Sequence, residues 1–515
     1  MKKIAIIICG MRYANQQEFI QGAAKCIEEN GENIFVFVCN TVYSQAELYK
    51  RGAFKMYQFM NPEEYDGVIL LHNTIHYEPA QEYIIKKLQE SEIPVISVSA
   101  RTEGMGYIGF DDYEAMYRMT EHVIKKHNIK KIAYVDGPKG YQDAKIRAQA
   151  FRDVLKKEKI SFERRWFYKG DFNIESGVEA VEEFDRMNSM PEAIICSNDS
   201  MAAGAIMGLQ EMGYRVPEDV IVTGFDNVSV AKDNSPRITT VQCDRAKMGY
   251  LSCEYLLTKS PEEIKQLSVV MPTEQIYSES CGCSKGEQTD MDELKCRILR
   301  KSVMERRYRN KINEIFAEFV NCDTPEEFAE TVRKFVPELK TDYFYMAFGD
   351  MEFVIKKLIY QYTRKEKTAE KEGIKGKREE YELVVTYEKG EFFPARKIET
   401  GKLLPERNLN RAEGVLYYVM PLHYQSQFFG YCVVGNCRLA MGMEVLYHYL
   451  INMGDCIESM LKRQALQRIT QKLDRMSDYD NLTGLYNRRG FQGRTEEYKW
   501  HAKSTGRNLY AIWRG

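Results

Sequence analysis

The chain has 515 residues, of which 44% are hydrophobic and 29% are charged, a composition typical of globular proteins. At roughly 100 to 200 residues per domain, this length predicts several domains. The formal net charge of −2 gives no electrostatic basis for binding nucleic acid or an anionic membrane surface. No apolar run approaches the roughly 20 residues that span a bilayer, and the run at 4–9 is too short for a signal peptide. We therefore expect a cytoplasmic protein with no membrane partner.

The chain contains 13 cysteines, and they lack the regular spacing of an extracellular disulfide framework, which favours reduced thiols. Cys281 and Cys283 form a C-x-C pair. Such a pair rarely makes a metal site alone, and the sequence shows no matching second pair of Cys or His. We expect a structural role for the pair and no metal site, with metal binding or redox chemistry as the alternative.

The first half alternates short apolar runs with amphipathic stretches. The runs that predict strands lie at 4–9, 34–39, 67–71, 95–99, 131–137, 193–197 and 220–226. The stretches that predict helices lie at 16–29, 45–57, 79–90, 111–127 and 143–158. Continuous apolar runs separated by helices are typical of parallel strands buried on both faces. Because the pattern restarts after Tyr107, it predicts an α/β fold with a doubly wound sheet in each of two lobes.

The stretch 193–241 carries several motifs that are specific in combination. They are N-D after a strand, A-x-G on the following helix, G-x-x-V-P-x-D-V, G-F-D and P-x-I-T-T-V. This stretch resembles the second lobe of the lac repressor and periplasmic sugar-binding superfamily, and the resemblance extends over residues 1–283. It implies a two-lobed, periplasmic-binding-protein-like domain. It also implies a small polar ligand, of the sugar or nucleoside class, between the lobes.

The resemblance places Arg147, Asn198 and Asp226 in this cleft. An arginine offers a rigid fork of donors, and Asn and Asp side chains exchange hydrogen bonds with hydroxyls or nitrogen heterocycles. The alternatives are a solvated helix residue for Arg147, a helix cap for Asn198 and a turn former for Asp226. We favour ligand contact for Arg147 and Asp226, and Asn198 stays open between the two roles.

Regulators of the lac repressor type carry a DNA-binding helix-turn-helix ahead of this core. Here the first predicted strand begins at Lys3, which leaves no room for that motif. We therefore expect no DNA partner.

Residues 284–323 are highly charged and predict a connecting helix. Its apolar residues fall near spacings of three and four and are Leu294, Ile298, Tyr308, Ile312, Ile315 and Phe319. Two arrangements of this helix are equally compatible with the pattern: packing on its own domain, or a coiled coil with a second chain.

Residues 324–443 predict a smaller α+β domain. It opens with a capping box from Thr324 to Glu327 and continues with strands that alternate apolar and polar residues around a charged loop at 363–379. The order of elements resembles a GAF-type sensor domain in pattern only, so no ligand residue can be assigned. For His423, in an apolar strand, we favour a packed side chain over a metal ligand.

Residues 444–479 predict a long helix whose near-heptad apolar positions suggest a coiled coil and a homodimer. These positions are Leu450, Met453, Ile457, Leu461, Ile469, Leu473 and Met476.

The following string, DNLTGLYNRRGF at 480–491, resembles the opening of GGDEF domains, the diguanylate cyclases. The residues that match are Asp480, Leu482, Thr483, Gly484, Leu485, Asn487, Arg488 and Arg489. The resemblance implies cyclic di-GMP signalling, with GTP and Mg²⁺ as requirements of a complete domain. Residues 480–515 contain no G-G-D-E-F string, and the candidate strand 508–513 ends at Arg514. We therefore expect no catalytic residue and no cofactor in this chain.

Two functions follow from these patterns. The first is a cytoplasmic small-molecule sensor of the diguanylate cyclase type, with its catalytic part missing. The alternative is a non-enzymatic, ligand-responsive regulator of the lac repressor type without a DNA-binding domain.

Overall fold

The computed structural model describes twelve stretches of the chain, and all structural statements below refer to them. They are residues 1–10, 13–39, 46–75, 77–187, 190–284, 291–363, 380–399, 401–405, 413–438, 443–480, 483–492 and 494–495. Three predicted features lie outside these stretches. They are the charged loop at 363–379 except for Thr363, the candidate strand 508–513, and Leu482. Within these stretches, no helix is both long and apolar enough to cross a bilayer.

Lobe 1 is a parallel sheet covered by helices, as the apolar runs predict. Its first strands are β1 (Lys3–Cys9), β2 (Asn33–Cys39), β3 (Gly67–Leu70), β4 (Val95–Val98) and β5 (Gly106–Phe110). The helices between them are α1 (Ala14–Asn30), α2 (Glu47–Phe59) and α3 (Glu78–Gln89). All seven residues of β2 are buried, because both faces of the sheet are covered.

Lobe 2 contains a separate sheet with the strand order β7-β6-β8-β9. Its elements are α4 (Asp112–His127), β6 (Ile132–Asp136), α5 (Gln142–Lys157), β7 (Phe167–Lys169), α6 (Ile174–Arg186), β8 (Ala193–Cys196), α7 (Asp199–Glu211), β9 (Ile221–Thr223), α8 (Ser229–Asp233) and β10 (Thr240–Gln242). The predicted two-lobed α/β fold of the first half is confirmed.

The chain then returns to lobe 1 and crosses back again. Helices α9 (Arg245–Thr258) and α10 (Pro261–Gln266) lead to β11 (Ser268–Met271), which pairs with β5. Strand β12 (Glu274–Ile276) pairs with β10 in lobe 2. The lobes are thus joined at 110–112, 242–245 and 271–274.

A second α+β domain follows, and most of its strands are antiparallel, as their alternating pattern predicts. Its elements are α11 (Met291–Val320), α12 (Pro325–Phe335), β13 (Tyr343–Phe348), α13 (Met351–Thr363), β14 (Glu382–Glu388), β15 (Glu391–Phe393), β16 (Arg396–Lys397), β17 (Leu416–Tyr424), β18 (Gln427–Gly435) and α14 (Met443–Asp478). Thr324 caps α12 by accepting a hydrogen bond from Glu327 N at 3.1 Å. The Glu327 carboxylate accepts from Asp323 N instead of Thr324 N, so the capping box is only half formed.

The sheet of the second domain continues the sheet of lobe 1, which the sequence did not predict. Strand β17 pairs in parallel with β2, from Leu416 opposite Ile34 to Val419 opposite Phe37. Asn33 Oδ1 accepts a hydrogen bond from Val415 N at 3.0 Å, and the rings of Phe35 and Tyr417 stack 4.9 Å apart. Lobe 1 and the second domain therefore share one 12-stranded sheet.

A close packing of α2 on the β17–β18 turn accompanies this pairing. A Cβ at Gly52 would lie 1.8 Å from Gln425 O, so only glycine permits the approach. His423 is buried there, with Nδ1 3.0 Å from Gln425 O and its ring against Tyr49. Burial lowers the pKa of His423 to about 4, although the Gln425 carbonyl opposes the shift. The expected packed role of His423 agrees with this geometry.

The long helices are only partly free for a partner chain. In α14, Leu450, Met453, Ile457 and Leu461 are buried in the core of their own chain. These four residues are therefore not available to a coiled coil between two chains, because this face of α14 packs on its own chain. Leu473 and Met476, near the end of α14, are more than half exposed.

Helix α11 shows the same division. Ile315 and Phe319 are buried, and the ring of Phe319 stacks on Phe328 of α12 at 4.6 Å. Ile298, near the start of the helix, is 57% exposed. The second half of α11 thus packs on its own domain.

Candidate functional site

A polar cleft of about 130 Å³ lies between the two lobes. Residues from α1 and from the segments after β3 and β4 line it on the lobe 1 side, and residues after β6 and β8 line it on the lobe 2 side. Parallel strands point their carboxyl ends toward this region, which is where such folds bind ligands. The predicted residues Arg147, Asn198 and Asp226 all line this one cleft.

Arg147, on α5, is held inside the protein by lobe 2. Its Nε donates to Asp112 Oδ1 at 2.8 Å, and Nη1 donates to the Ser197 carbonyl at 2.7 Å. Its guanidinium lies 3.7 Å above the centre of the Phe225 ring. The side chain is only 4% exposed, so Arg147 is not a solvated helix residue. Burial alone would lower the pKa of Arg147, but Asp112 and Asp226 outweigh it and raise that pKa above its usual value.

Asp226 lies between two arginines. Arg245 Nη2 donates to Asp226 Oδ1 at 2.6 Å, and Arg147 Nη2 lies 3.8 Å from the same oxygen. Its backbone φ of +107° is rare for a residue with a side chain, and such strained residues cluster at functional sites. The backbone N–H of Asp226 donates to Val241 O at 3.0 Å, so the turn is fixed against β10. Asp226 is therefore both a turn residue and part of a charged cleft wall.

Asn198 serves its own helix while lining the cleft. Its Oδ1 accepts a hydrogen bond from Met201 N, and its Nδ2 donates to Phe172 O, both at 3.0 Å. The amide therefore acts as the N-cap of α7. Asn198 is therefore a helix cap that also lines the cleft.

The sequence reasoning missed several polar residues of the cleft. Asp143 follows the β6–α5 turn, and burial raises the pKa of its carboxyl, opposed by Arg147. Arg245, at the second crossing between lobes, has a buried Nε with no partner among the described residues. Asn15 Oδ1 and Gln16 Oε1, on α1, are buried acceptors that likewise have no partner in the described chain.

The unpartnered groups indicate what the cleft is suited to bind. A buried polar atom without a hydrogen bond costs about 1–3 kcal/mol, which a ligand of complementary chemistry would offset. Asn15 and Gln16 offer acceptors from lobe 1, and Arg245 offers a donor. This pattern suits a neutral molecule that carries both hydroxyl or amide donors and acceptors.

The matched residues of the 480–491 string lie apart from the cleft. Thr483 N and Oγ1 both donate to Asp480 Oδ1, at 2.9 and 2.8 Å. Asn487 Oδ1 accepts from Arg489 N and Gly490 N at 3.0 Å. Here the string forms a turn and the start of a short helix. The matched residues that the structure describes are Asp480, Thr483, Gly484, Leu485, Asn487, Arg488 and Arg489; Leu482 lies outside the described residues.

Comparison with known proteins identifies relatives of the first half. Residues 120–281 match the family model described as a periplasmic binding protein-like domain. The two-lobed fold and this match agree. The first half of the chain has a periplasmic-binding-protein-like fold.

The curated relatives are repressors. The chain is 28% identical over 238 residues to "Probable HTH-type transcriptional repressor ExuR" of Bacillus subtilis (strain 168), covering 45% of this chain and 70% of that protein. It is 27% identical over 214 residues to the HTH-type transcriptional repressor PurR of Mannheimia succiniciproducens, covering 42% of this chain and 62% of PurR. It is 32% identical over 155 residues to the ribose operon repressor of Haemophilus influenzae, covering 29% of this chain and 47% of that repressor. The chain thus spans less than two thirds of the latter two proteins.

Two solved structures are also similar at low identity. The transcriptional regulator CelR–cellobiose complex has a TM-score of 0.47 and 22% identity, covering 54% of this chain and 84% of that chain. The lac repressor dimer bound to operator and the anti-inducer ONPF has a TM-score of 0.46 and 17% identity, covering 54% of this chain and 93% of that chain.

These relatives overturn the first functional interpretation. They are transcriptional repressors, and none of the findings supports a GAF domain, a GGDEF domain, or a signal transduction protein of the diguanylate cyclase and cyclic di-GMP type. That interpretation was wrong: it depended on a short string and on the order of elements. The alternative, a ligand-responsive regulator of the lac repressor type, agrees better. The expected exclusion of DNA is not confirmed, because the relatives ExuR and PurR are HTH-type repressors.

Proposed function

We propose that this chain is a ligand-responsive regulator whose interlobe cleft binds a small polar molecule of the sugar or nucleoside class. The observation that carries the proposal is the cleft itself. It combines a largely buried ionic cluster, formed by Asp112, Arg147 and Asp226 of lobe 2 and Arg245 at the second crossing, with unpartnered acceptors on the lobe 1 side. Such convergent polar groups in a mostly preformed pocket are typical of small-molecule sites.

The ionic cluster provides a rigid floor for the ligand. Arg147 and Arg245 neutralise Asp112 and Asp226, and their side chains are at most 14% exposed. Because the charges are paired within the protein, a neutral ligand can bind without burying an unpaired charge. Phe19 and Met248 add apolar surface to the same cleft, which suits the apolar face of a sugar ring or a base.

Ligand binding would favour a closed arrangement of the lobes. A ligand that contacts α1 in lobe 1 and Asp226 in lobe 2 at once binds the closed state more tightly, and it shifts the population by that difference in affinity. Lobe 1 shares its sheet with the second domain, so lobe 2 is the part that moves. The regulated output then depends on the position of lobe 2 relative to the rest of the chain.

We also propose that the protein is a homodimer. The apolar residues left exposed near the end of α14 are Leu466, Leu473 and Met476, and Ile469 lies between them at heptad spacing. A helical stripe with spacings of three and four is the pattern that pairs two chains.

A thermal-shift screen of sugars, nucleosides and small acids tests the proposed ligand class. A ligand present at 100 times its Kd stabilises the native state by about 2.7 kcal/mol. Each compound that raises the midpoint is then tested on Arg245→Met, which removes a cleft donor, and on Arg118→Met, which changes an exposed arginine of α4. We expect the shift to shrink in the first variant only. A compound that shifts both variants as much as the wild type, or a screen with no hit in these classes, would overturn the proposal.

A further inference from the structure

Four side chains with metal-binding chemistry meet at a surface of lobe 2 away from the cleft. They are His122 and His127 of α4, and Cys281 and Cys283 of the segment that follows β12. One ligand atom from each lies within 4.8 Å of the others. Cys283 Sγ lies 3.4 Å from His122 Nε2 and 3.3 Å from His127 Nε2. The second pair that the C-x-C motif lacks in the sequence is therefore supplied by a helix more than 150 residues earlier.

We propose that His122, His127, Cys281 and Cys283 form a structural Zn²⁺ site. Two thiolates and two imidazoles are a ligand set that Zn²⁺ takes in closed tetrahedral sites. With Zn–S near 2.3 Å and Zn–N near 2.0–2.1 Å, a tetrahedral site has S···N edges of about 3.6 Å. The two measured S···N distances, both from Cys283, are within about 0.3 Å of that value, and all four ligand atoms lie within 4.8 Å of one another.

The backbone around the cysteines is already fixed in the geometry that a metal site requires. Ser280 Oγ donates to Val222 O at 2.6 Å and accepts from Thr239 N at 2.8 Å, which anchors the neighbouring Cys281 to the lobe 2 sheet. Gly282 has a φ of +79°, a conformation that favours glycine and turns Cys283 back toward α4. Cys281 is buried and Cys283 is exposed, so an ion can enter from solvent.

The histidine side is also held in place. The His122 ring stacks on Tyr277 with centroids 3.8 Å apart, and Gln275 Nε2 donates to Ala115 O at 3.1 Å. These contacts join α4 to the segment that carries the cysteines before any ion binds. On binding, each thiol would release its proton to solvent, and the two thiolates would balance the charge of Zn²⁺.

The position of the site suggests its purpose. Cys283 lies where the chain leaves lobe 2, eight residues before α11 begins at Met291. A Zn²⁺ ion would fix this exit from lobe 2 to α4. With this exit fixed, a movement of lobe 2 would displace the start of α11 directly.

The test is metal retention by the full-length chain. Reduced protein is stripped with a chelator, loaded with equimolar Zn²⁺, desalted, and analysed for metal by mass spectrometry. The site variants are Cys283→Ser and His127→Gln. The matched controls are Cys296→Ser, an exposed cysteine of α11, and His448→Gln, an exposed histidine of α14. Far-UV circular dichroism checks that every variant is folded.

We expect about one equivalent of Zn²⁺ in the wild type and both controls, and near zero in both site variants. Co²⁺ loaded in place of Zn²⁺ should give the intense visible absorption of a tetrahedral thiolate complex, which the site variants lose. Failure of the folded wild type to retain Zn²⁺, or retention by a site variant equal to that of its control, would overturn the proposal.

Discussion

The two lobes of the first half differ in how they are attached to the rest of the chain. Lobe 1 has its edge strand β2 paired with β17, so its sheet continues into the second domain. Lobe 2 has a sheet of its own and is joined to lobe 1 by the three crossing segments. One wall of the cleft therefore belongs to the 12-stranded sheet and the other wall does not. In the proposed function, a ligand between the walls acts by positioning lobe 2.

The lobes also contribute different chemistry to the cleft. Lobe 2, with the crossing segment at Arg245, supplies charges that are already paired within the protein. Lobe 1 supplies neutral amide oxygens that have no partner in the described residues. Changes on the lobe 2 side should therefore affect folding as well as binding. A change at Gln16, whose Nε2 donates to Cys9 O at 3.0 Å, should affect binding with a smaller loss of stability.

The largest expected effect is that of Arg147→Ala on the stability of lobe 2. Removing this arginine leaves Asp112, whose side chain is 12% exposed, without its ion-pair partner, a change that costs up to about 3 kcal/mol. We expect a marked fall in the thermal midpoint without ligand. The control Arg118→Ala removes an exposed pair with Glu114 and should cost less than about 1 kcal/mol. Equal midpoints for the two variants would show that Arg147 is not part of the lobe 2 scaffold.

Gly52→Val should break the attachment of lobe 1 to the second domain. The added side chain would collide with Gln425 O, and overpacking of this kind costs about 3 kcal/mol. Hydrogen–deuterium exchange should show faster exchange in β17 and in the β17–β18 turn. Arg51→Val, at the exposed neighbouring position, should leave this exchange unchanged. Unaltered protection in Gly52→Val would contradict the shared sheet.

Acid should weaken the same junction through His423. Its folded pKa of about 4 lies below the unfolded value of about 6.5, so the unfolded state binds more protons between these values. Stability is therefore lost as pH falls from about 6.5 toward 4, by on the order of 2 kcal/mol. His423→Gln should remove this part of the pH dependence, whereas His448→Gln should keep it. Thermal midpoints measured against pH check this. If His423→Gln lost as much stability on acidification as the wild type, the assignment of this pH dependence to His423 would be wrong.

Leu473→Glu should weaken the proposed dimer with a smaller effect. Leu473 is 59% exposed in the single chain, and burying such a side chain in an interface contributes about 1.5 kcal/mol, or roughly a tenfold change in Kd. Light scattering across a concentration series measures the change. Lys472→Glu, at the neighbouring exposed position, is the control. If the wild type is a monomer at micromolar concentration, the proposed dimer is wrong.

Much of the first half could be predicted from the sequence, because buried parallel strands leave continuous apolar runs. The run 34–39 predicted β2, and the stretch 16–29 predicted α1, which ends at Asn30 before Gly31 in the left-handed conformation. Helix α6 was missed, although it is amphipathic, because no motif of the resemblance covers it. Helix α13 was also missed, since the charged stretch after it dominated the composition of that region.

Contacts between distant segments could not be predicted. The pairing of β2 with β17 joins residues such as Asn33 and Val415, which are 382 positions apart. The histidines that face Cys283 are separated from it by a whole lobe, so the cysteine pair looked isolated. In the cleft, the motifs located Arg147, Asn198 and Asp226, whereas Gln16 and Arg245 belong to no motif. The rule that ligands lie beyond strand ends does place Gln16, after β1, at the right edge of the sheet.

The measurement that tests the central claim most directly is calorimetric titration of a ligand from the screen against Gln16→Ala and Gln21→Ala. Both variants shorten a glutamine of α1, but Gln16 faces the cleft with an unpartnered oxygen and Gln21 is exposed. If the ligand bridges lobe 1 and lobe 2, Gln16→Ala should weaken binding about tenfold, the scale of one lost hydrogen bond, and Gln21→Ala should bind like the wild type. Wild-type affinity in Gln16→Ala would contradict the claim that the ligand is held between the two lobes.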